Sequence, residues 1–260
     1  MRWKRHDVES LPRNVIRLID GTKLTTILAL CGLAPCLFSQ GTISIVNGSY
    51  SLARTNASGI GGTVGYTSTT LGGFYYGVFS ASSMITSVDP SLQDLLSTKW
   101  TFTGVYATNT FGIAGRFTGG VNVTTLHGWE PGVTNSYLLV GWSSSIAGRD
   151  WNAVSGQLAG ASLQNGVWKG PNWRVASDGG FIGVTEIGFG EAGGWFQGNP
   201  LPPLALFGTT ETPQGIPIGS PFDMFVVGAD PGAVPEPSAY ALLSLATTAL
   251  VIRRRRNRTL

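Results

Sequence analysis

The chain has 260 residues and a formal net charge of +3, but its basicity sits at the two ends. Residues 1–39 carry six basic and three acidic side chains, and residues 234–260 carry five arginines and Glu236. The stretch between them, 40–233, has six basic and ten acidic groups, a net −4, which excludes a nucleic-acid-binding body with basic residues clustered on a folded face.

Leu24 to Phe38 is an apolar run of 15 residues with Lys23 directly before it. A basic region, here a long one, followed by such a run and then small residues reads as a secretory signal peptide over 1–39, with cleavage between Ser39 and Gln40. Pro35 argues against a buried helix there. Cys31 and Cys36 both fall in this run, so the mature body has no cysteine, hence no disulfide framework, thiol nucleophile or thiolate metal site.

The body holds 35 of the 37 glycines and seven of the eight tryptophans. Few charges among many aromatics, glycines, serines and threonines favour strands and turns over helices or disorder. Strands are expected at 42–47, 74–80, 99–107, 111–117, 120–126, 136–143, 173–176, 181–188 and 224–228, with a short one inside the loop-rich 49–66. Asp89 to Ser97 reads as a short helix, with Asp89 as N-cap, Pro90 in the first turn and Leu92, Leu95 and Leu96 following. A second short helix fits Trp151 to Leu158. Residues 198–221 are rich in Pro and Gly and read as extended loop with an edge strand at 204–207. The fold class is all-β: a single β-sandwich or jelly-roll-like domain over 40–233, flanked by the signal peptide and a C-terminal sorting helix.

At the C-terminus, Val234, Pro235, Glu236, Pro237 and Ser238 precede an apolar stretch, 239–252, and an arginine-rich tail, 253–260. Fourteen helical residues span roughly 21 Å against a hydrocarbon core of about 30 Å, short for a permanent anchor but adequate for transient insertion. Arg253, Arg254, Arg255 and Arg256 should stay cytoplasmic, which places the body outside the inner membrane. The motif, one short transmembrane helix and the arginine tail, in that order, resemble a PEP-CTERM sorting signal. The resemblance implies a bacterial exported protein that meets the export machinery, a signal peptidase and a transpeptidase-like exosortase. It further implies passage through the inner membrane by 239–252, then a cell-surface or extracellular location, in systems associated with exopolysaccharide and biofilm matrix. The chain would be the substrate of that machinery. From Tyr137 onward the body also looks like the terminal part of many exported proteins of this group.

No catalytic, metal or cofactor site is expected in the body. His127 is its only histidine, and Gly141-Trp142-Ser143-Ser144-Ser145 lacks the final glycine of a nucleophile elbow. Gly188-Phe189-Gly190-Glu191-Ala192-Gly193 has the spacing of a dinucleotide-binding turn but opens no helix, so it is read as a chance match. Glu186 with Glu191, or Glu130 with Asp150, would be the carboxylate pairs of a polysaccharide hydrolase. Asp178, Asp223 and Asp230 form no calcium-loop motif. Trp129, Trp142, Trp151, Trp168, Trp173 and Trp195 mainly fill a glycine-rich core. If any stack on a sugar ring, Trp151 and Trp195 are the candidates, making the body a carbohydrate-binding module.

Overall fold

A computed structural model describes residues 40–62, 64–123, 126–173 and 179–229. The signal peptide with its Ser39/Gln40 junction, the expected strand 173–176 beyond Trp173, and the C-terminal motif, helix and tail lie outside the described residues. Among the described residues no helix is long and apolar enough to cross a membrane.

In chain order the body forms β1 (Ile43–Val46), β2 (Ala53–Asn56), β3 (Val64–Tyr66), β4 (Phe74–Ser82), β5 (Thr101–Asn109), β6 (Phe117–Val123) and β7 (Thr134–Ser143). Two short helices follow, α1 (Ser144–Ala147) and α2 (Trp151–Leu158). Then come β8 (Ser162–Gln164), β9 (Val167–Gly170), β10 (Gly180–Val184), β11 (Gly188–Glu191), β12 (Gly194–Phe196), β13 (Asn199–Leu201), β14 (Leu204–Ala205), β15 (Gly215–Ile216) and β16 (Phe222–Ala229). The all-β expectation holds. Fourteen strands join in one sheet, ordered β14-β1-β6-β5-β4-β7-β10-β16-β2-β3, with β11 and β15 attached to β7 and with β9 and β8 attached to β16. β12 and β13 make a separate hairpin.

The sheet is strongly curled. β6 and β16 are five strand spacings apart, about 24 Å along a flat sheet, yet the Phe117 and Phe222 rings are 6.2 Å apart. The halves of the sheet therefore face each other as in a sandwich while remaining one hydrogen-bonded sheet.

Alternation along the central strands explains how both faces are buried. On β7, Tyr137 and Leu139 enter the core inside the curl, with Tyr76, Val78, Phe117, Phe222 and Met224. Leu138, Val140 and Trp142 point the other way, into a second core on the outer face, which Leu92, Leu95, Trp151, Val154, Leu158 and Trp168 cover. A strand with two buried faces must be apolar at nearly every position, which is why the segment 136–143 is so apolar. Glycine makes room for the large rings: a Cβ on Gly77 would lie 3.1 Å from Phe102 and 3.2 Å from Trp142.

The curl is closed by backbone and amide groups. Ala53 N–H donates to Gly115 O (3.0 Å) and Gly115 N–H donates to Thr67 O (3.0 Å). Asn47 is fully buried. Its Nδ2 donates to Ser51 O (2.9 Å) and Gly115 O (3.0 Å), and its Oδ1 accepts from Phe117 N–H (2.7 Å). Gly115 has φ +76°, and a Cβ there would lie 3.1 Å from Ala53 O, so this crossing takes only glycine comfortably.

Several expectations need correction. Asp89 to Ser97 is not an α-helix. Asp89 Oδ1 accepts from the hydroxyl and N–H of Ser91 (2.6 and 2.7 Å), bonds that hold its carboxyl below the usual carboxylate range. Leu92 then adopts φ +57°, leaving only a 3-10 turn at Gln93–Leu96. The pull of the second core on the buried Leu92 and Leu95 outweighs helix propensity. The strand expected at 111–117 is a turn up to Arg116, and β6 spans both it and part of 120–126. The 181–188 strand is split between β10 and β11, which pair with successive halves of β7. The β8–β9 hairpin was not expected, because its residues carry no clear alternation. The helix at Trp151–Leu158 and the edge strand near 204 are present.

Asn47→Ala should lower unfolding stability by about 3 kcal/mol, since Ser51 O and Phe117 N–H lose the bond the side chain gives them and Gly115 O is left with Ala53 N–H alone. Asn47→Asp should be no milder, because a carboxylate cannot donate to the two carbonyls. Urea-denaturation midpoints of the two variants against the parent check this.

Candidate functional site

The outer face of β4, β5 and β6 carries a groove that is not filled by the second core. Cross-strand register sets Tyr75, Thr108 and Thr118 side by side, because Tyr75 pairs with Thr108 and Thr108 with Thr118. Tyr106 lies two residues before Thr108 and so shares this face. Gly120, where a Cβ would meet only Val123 at 3.9 Å, offers no side chain to cover it, while Gly119 contributes backbone and faces Ile45 and Ala107 of the inner core. The resulting cavity has a volume of about 310 Å³ and is lined by Tyr75, Tyr106, Thr108, Thr118, the two glycines and Arg149.

Arg149 sits in the turn between α1 and α2, with its Cζ 4.7 Å from the centre of the Tyr106 ring. The Tyr106 hydroxyl accepts from Trp151 N–H (3.4 Å). Burial raises its pKa, with the Trp151 N–H and the Arg149 charge acting in the opposite sense. The phenol therefore stays neutral at ordinary pH. Thr108 Oγ1 is engaged by Phe74 O (2.9 Å) and Gly72 N–H (3.1 Å). Thr118 Oγ1 accepts from Gly120 N–H (3.1 Å), which leaves its O–H as a donor. The lining contains two phenol rings, one guanidinium and hydroxyls, and no carboxylate. It can stack against a flat apolar face and bind oxygen-rich or anionic groups.

Sequence reasoning missed this groove. Tyr75 and Tyr76 are adjacent and face opposite ways, Tyr76 into the inner core. The available signal was the alternation in 101–109, which sets Phe102 and Tyr106 on one face and Val105 and Ala107 on the other.

The two tryptophans singled out earlier part company. Trp151 is only 6% exposed. Its ring packs edge-on against Phe79 (4.8 Å) and tilted against Trp142 (5.7 Å). It is a core residue with no face for a sugar, because Asp150 caps α2 through Asn152 N–H (2.9 Å) and the helix turns Trp151, Val154 and Leu158 inward. Trp195 is 62% exposed on the β12–β13 hairpin, opposite Pro200. Trp129, Trp142 and Trp168 are buried, with each indole N–H donating to a carbonyl: Val133, Gly148 and Ile182 respectively.

The other chemical candidates have structural duties. Glu186 Oε1 accepts from the N–H groups of Gly219 (2.6 Å) and Ser220 (2.9 Å), strapping the loop before β16. Glu191 ends β11, Glu130 is exposed in the turn before β7, and Asp150 is the α2 cap. Neither the groove nor a second cavity of about 470 Å³ beside α2 (Ala153, Gly156, Gln157 and Pro171–Trp173) is lined by any of these four. Asp223 pairs with Arg54 (2.7 Å), while Asp178 and Asp230 lie outside the described residues. Among the described residues no three His, Cys, Asp or Glu gather as metal ligands. His127 donates its backbone N–H to Thr103 O (3.0 Å), and its imidazole covers Gly104. Gly188, Gly190 and Gly193 are spacing residues: a Cβ at each would strike the Tyr137 ring, Leu204 or Pro202 O.

Beyond the body, the family model of the PEP-CTERM protein-sorting motif matches residues 233–256. The chain carries a PEP-CTERM sorting signal. The match covers Val234, Pro235, Glu236, Pro237, the apolar stretch and Arg253–Arg256. The PEP-CTERM signal implies an exported protein, processed by an exosortase-type sorting enzyme and destined for the cell surface or the extracellular space. Comparison with curated proteins and with solved structures finds no match. β16 ends at Ala229, only residues 230–232 before the PEP-CTERM match begins.

Trp151→Ala should cost about 4 kcal/mol in unfolding stability, as expected for a large ring removed from a core. Trp195→Ala should change stability by less than about 1 kcal/mol. The same Trp195 variant should remove most of the fluorescence that iodide quenches in the folded body.

Proposed function

We propose that the chain is an exported, non-enzymatic domain that works by binding at the cell surface or in the extracellular matrix. The observation that carries this reading is the sorting signal, placed directly after a compact β-domain. Supporting it, Glu186 Oε1 straps the loop before β16 through two backbone N–H groups, and the His127 ring lies against Gly104 at a strand end.

In this reading signal peptidase cleaves between Ser39 and Gln40. Residues 239–252 then hold the precursor in the inner membrane, with Arg253–Arg256 inside, until the sorting enzyme acts. Carbohydrate binding within an exopolysaccharide matrix is the more specific form of this function. The aromatic and hydroxyl lining of the Tyr75–Tyr106 groove favours it. A hydrolase is disfavoured, since Glu186 is spent on two backbone N–H groups.

Expression of the full chain in a host that has an exosortase, followed by mass measurement of the product, tests the export half of the reading. The expected product starts at Gln40, has lost the arginine tail and is found outside the cytoplasm. A cytoplasmic product with Arg253–Arg256 intact would overturn it.

A further inference from the structure

We infer that the groove on the outer face of β4–β6 binds an acidic saccharide, a sugar chain bearing carboxylates, with Arg149 as the residue that reads the charge. This rests on the binding function proposed above and assigns it a place and a ligand chemistry.

The body is short of cations and has an excess of acidic groups. Two of its cations are neutralised locally: Arg54 by Asp223 at 2.7 Å and Lys99 by Asp94 at 3.1 Å. Arg149 instead lies over the Tyr106 ring at 4.7 Å, in a cavity lined by no carboxylate. Stacking on an aromatic face fixes the plane of the guanidinium and leaves its N–H fork at the edges, where it matches a carboxylate with two parallel hydrogen bonds. Such a group, exposed and preorganised in a net-acidic domain, is suited to an anion.

The rest of the lining selects the kind of anion. Phenol faces accept the apolar C–H face of a sugar ring, and Thr118 O–H can donate to its hydroxyls. Gly120, with open space where a Cβ would stand, lets the ring approach the backbone of β6 closely. At about 310 Å³ the cavity is at the small end of ligand sites and takes about one or two sugar rings. A polyphosphate or nucleic acid would need several cations along its path, and this groove supplies one.

The test uses the mature protein secreted from cells expressing the full chain, titrated calorimetrically with galacturonate oligosaccharides and with neutral maltohexaose as comparison. Binding should favour the acidic oligosaccharide by at least about tenfold and weaken as salt is raised. Arg149→Ala should weaken it about tenfold, with Arg149→Lys in between, since a lysine keeps charge but loses the fork. Tyr75→Ala should also weaken it, while Trp195→Ala should leave it unchanged. Arg149 is exposed, so its variants should keep the parent's thermal unfolding midpoint, which separates lost binding from lost folding. Equal binding of acidic and neutral oligosaccharides, an Arg149→Ala variant that binds as the parent does, or binding abolished by Trp195→Ala would each overturn the inference. So would a correctly processed, exported protein that binds neither probe. That last outcome leaves the export reading standing, whereas an unprocessed cytoplasmic product defeats the export reading itself.

Discussion

The side chain of Asn47 is the joint on which the curl turns. A sheet of this many strands would spread its apolar faces into water if left flat. Asn47 ties its own turn, through Ser51, to the segment that enters β6, at Gly115 and Phe117, beside the Ala53–Gly115–Thr67 backbone bonds that close the curl. A second amide, Asn109, works beside it: its Oδ1 accepts from Phe74 N–H at 2.7 Å, and its Nδ2 reaches Thr67 Oγ1 at 3.3 Å and the Tyr76 hydroxyl at 3.4 Å. Burial raises the Tyr76 phenol far above its ordinary pKa, so it remains a neutral donor, here to Thr67. These groups are costly to bury unless every one is paired. Their pairing is possible only in one register, so the polar seam specifies the closed form while the apolar cores drive it.

Closure in turn settles where the two cores lie and what remains open. Inside the curl, Tyr76 stacks on Phe117 at 4.0 Å and meets Phe222 edge-on at 6.1 Å, joining strands from opposite halves. Outside, the α2 helix and the 3-10 turn at Gln93–Leu96 cover β4, β7 and β10. The cover reaches Phe102 and one side of Tyr106 on β5 and includes no residue of β6. The Tyr106 ring straddles that limit, packing on Trp142 (5.9 Å) on one side and lining the groove with Arg149 on the other. The candidate site is thus the margin of a core, which gives its aromatic groups rigid backing.

Much of the fold was legible because burial leaves a pattern in composition. The two-sided strand at 136–143, the capped helix behind Asp150 and the preference of most tryptophans for the interior all followed from residue type and spacing. The errors share one cause. Leu92, Leu95 and Leu96 satisfy a helical pattern, but the core accepts leucines from a tight turn equally well, and nothing local announces φ +57° at Leu92. Trp151 looked available because it sits beside Asp and Asn, yet a helix can turn a ring inward while its polar neighbours face water. The groove was illegible for a different reason: Tyr75, Tyr106 and Arg149 are brought together by strand register and by a turn from another part of the chain, a long-range fact that no window of sequence contains. The sorting signal, by contrast, is a linear message, and linear reading finds it.

The position of β16 bears on the order of events during export. It is the last strand among the described residues, yet it lies well inside the sheet, with β10 along one side and β2 and then β9 along the other. Until its eight residues have emerged, β10 and β2 have no common neighbour and the curl has no way to close. Completion of the domain therefore waits for the segment that directly precedes the sorting signal. Once it is complete, any pull on the chain beyond Ala229 is borne as shear along a strand hydrogen-bonded on both sides, so that many ladder bonds share the load at once instead of opening one by one.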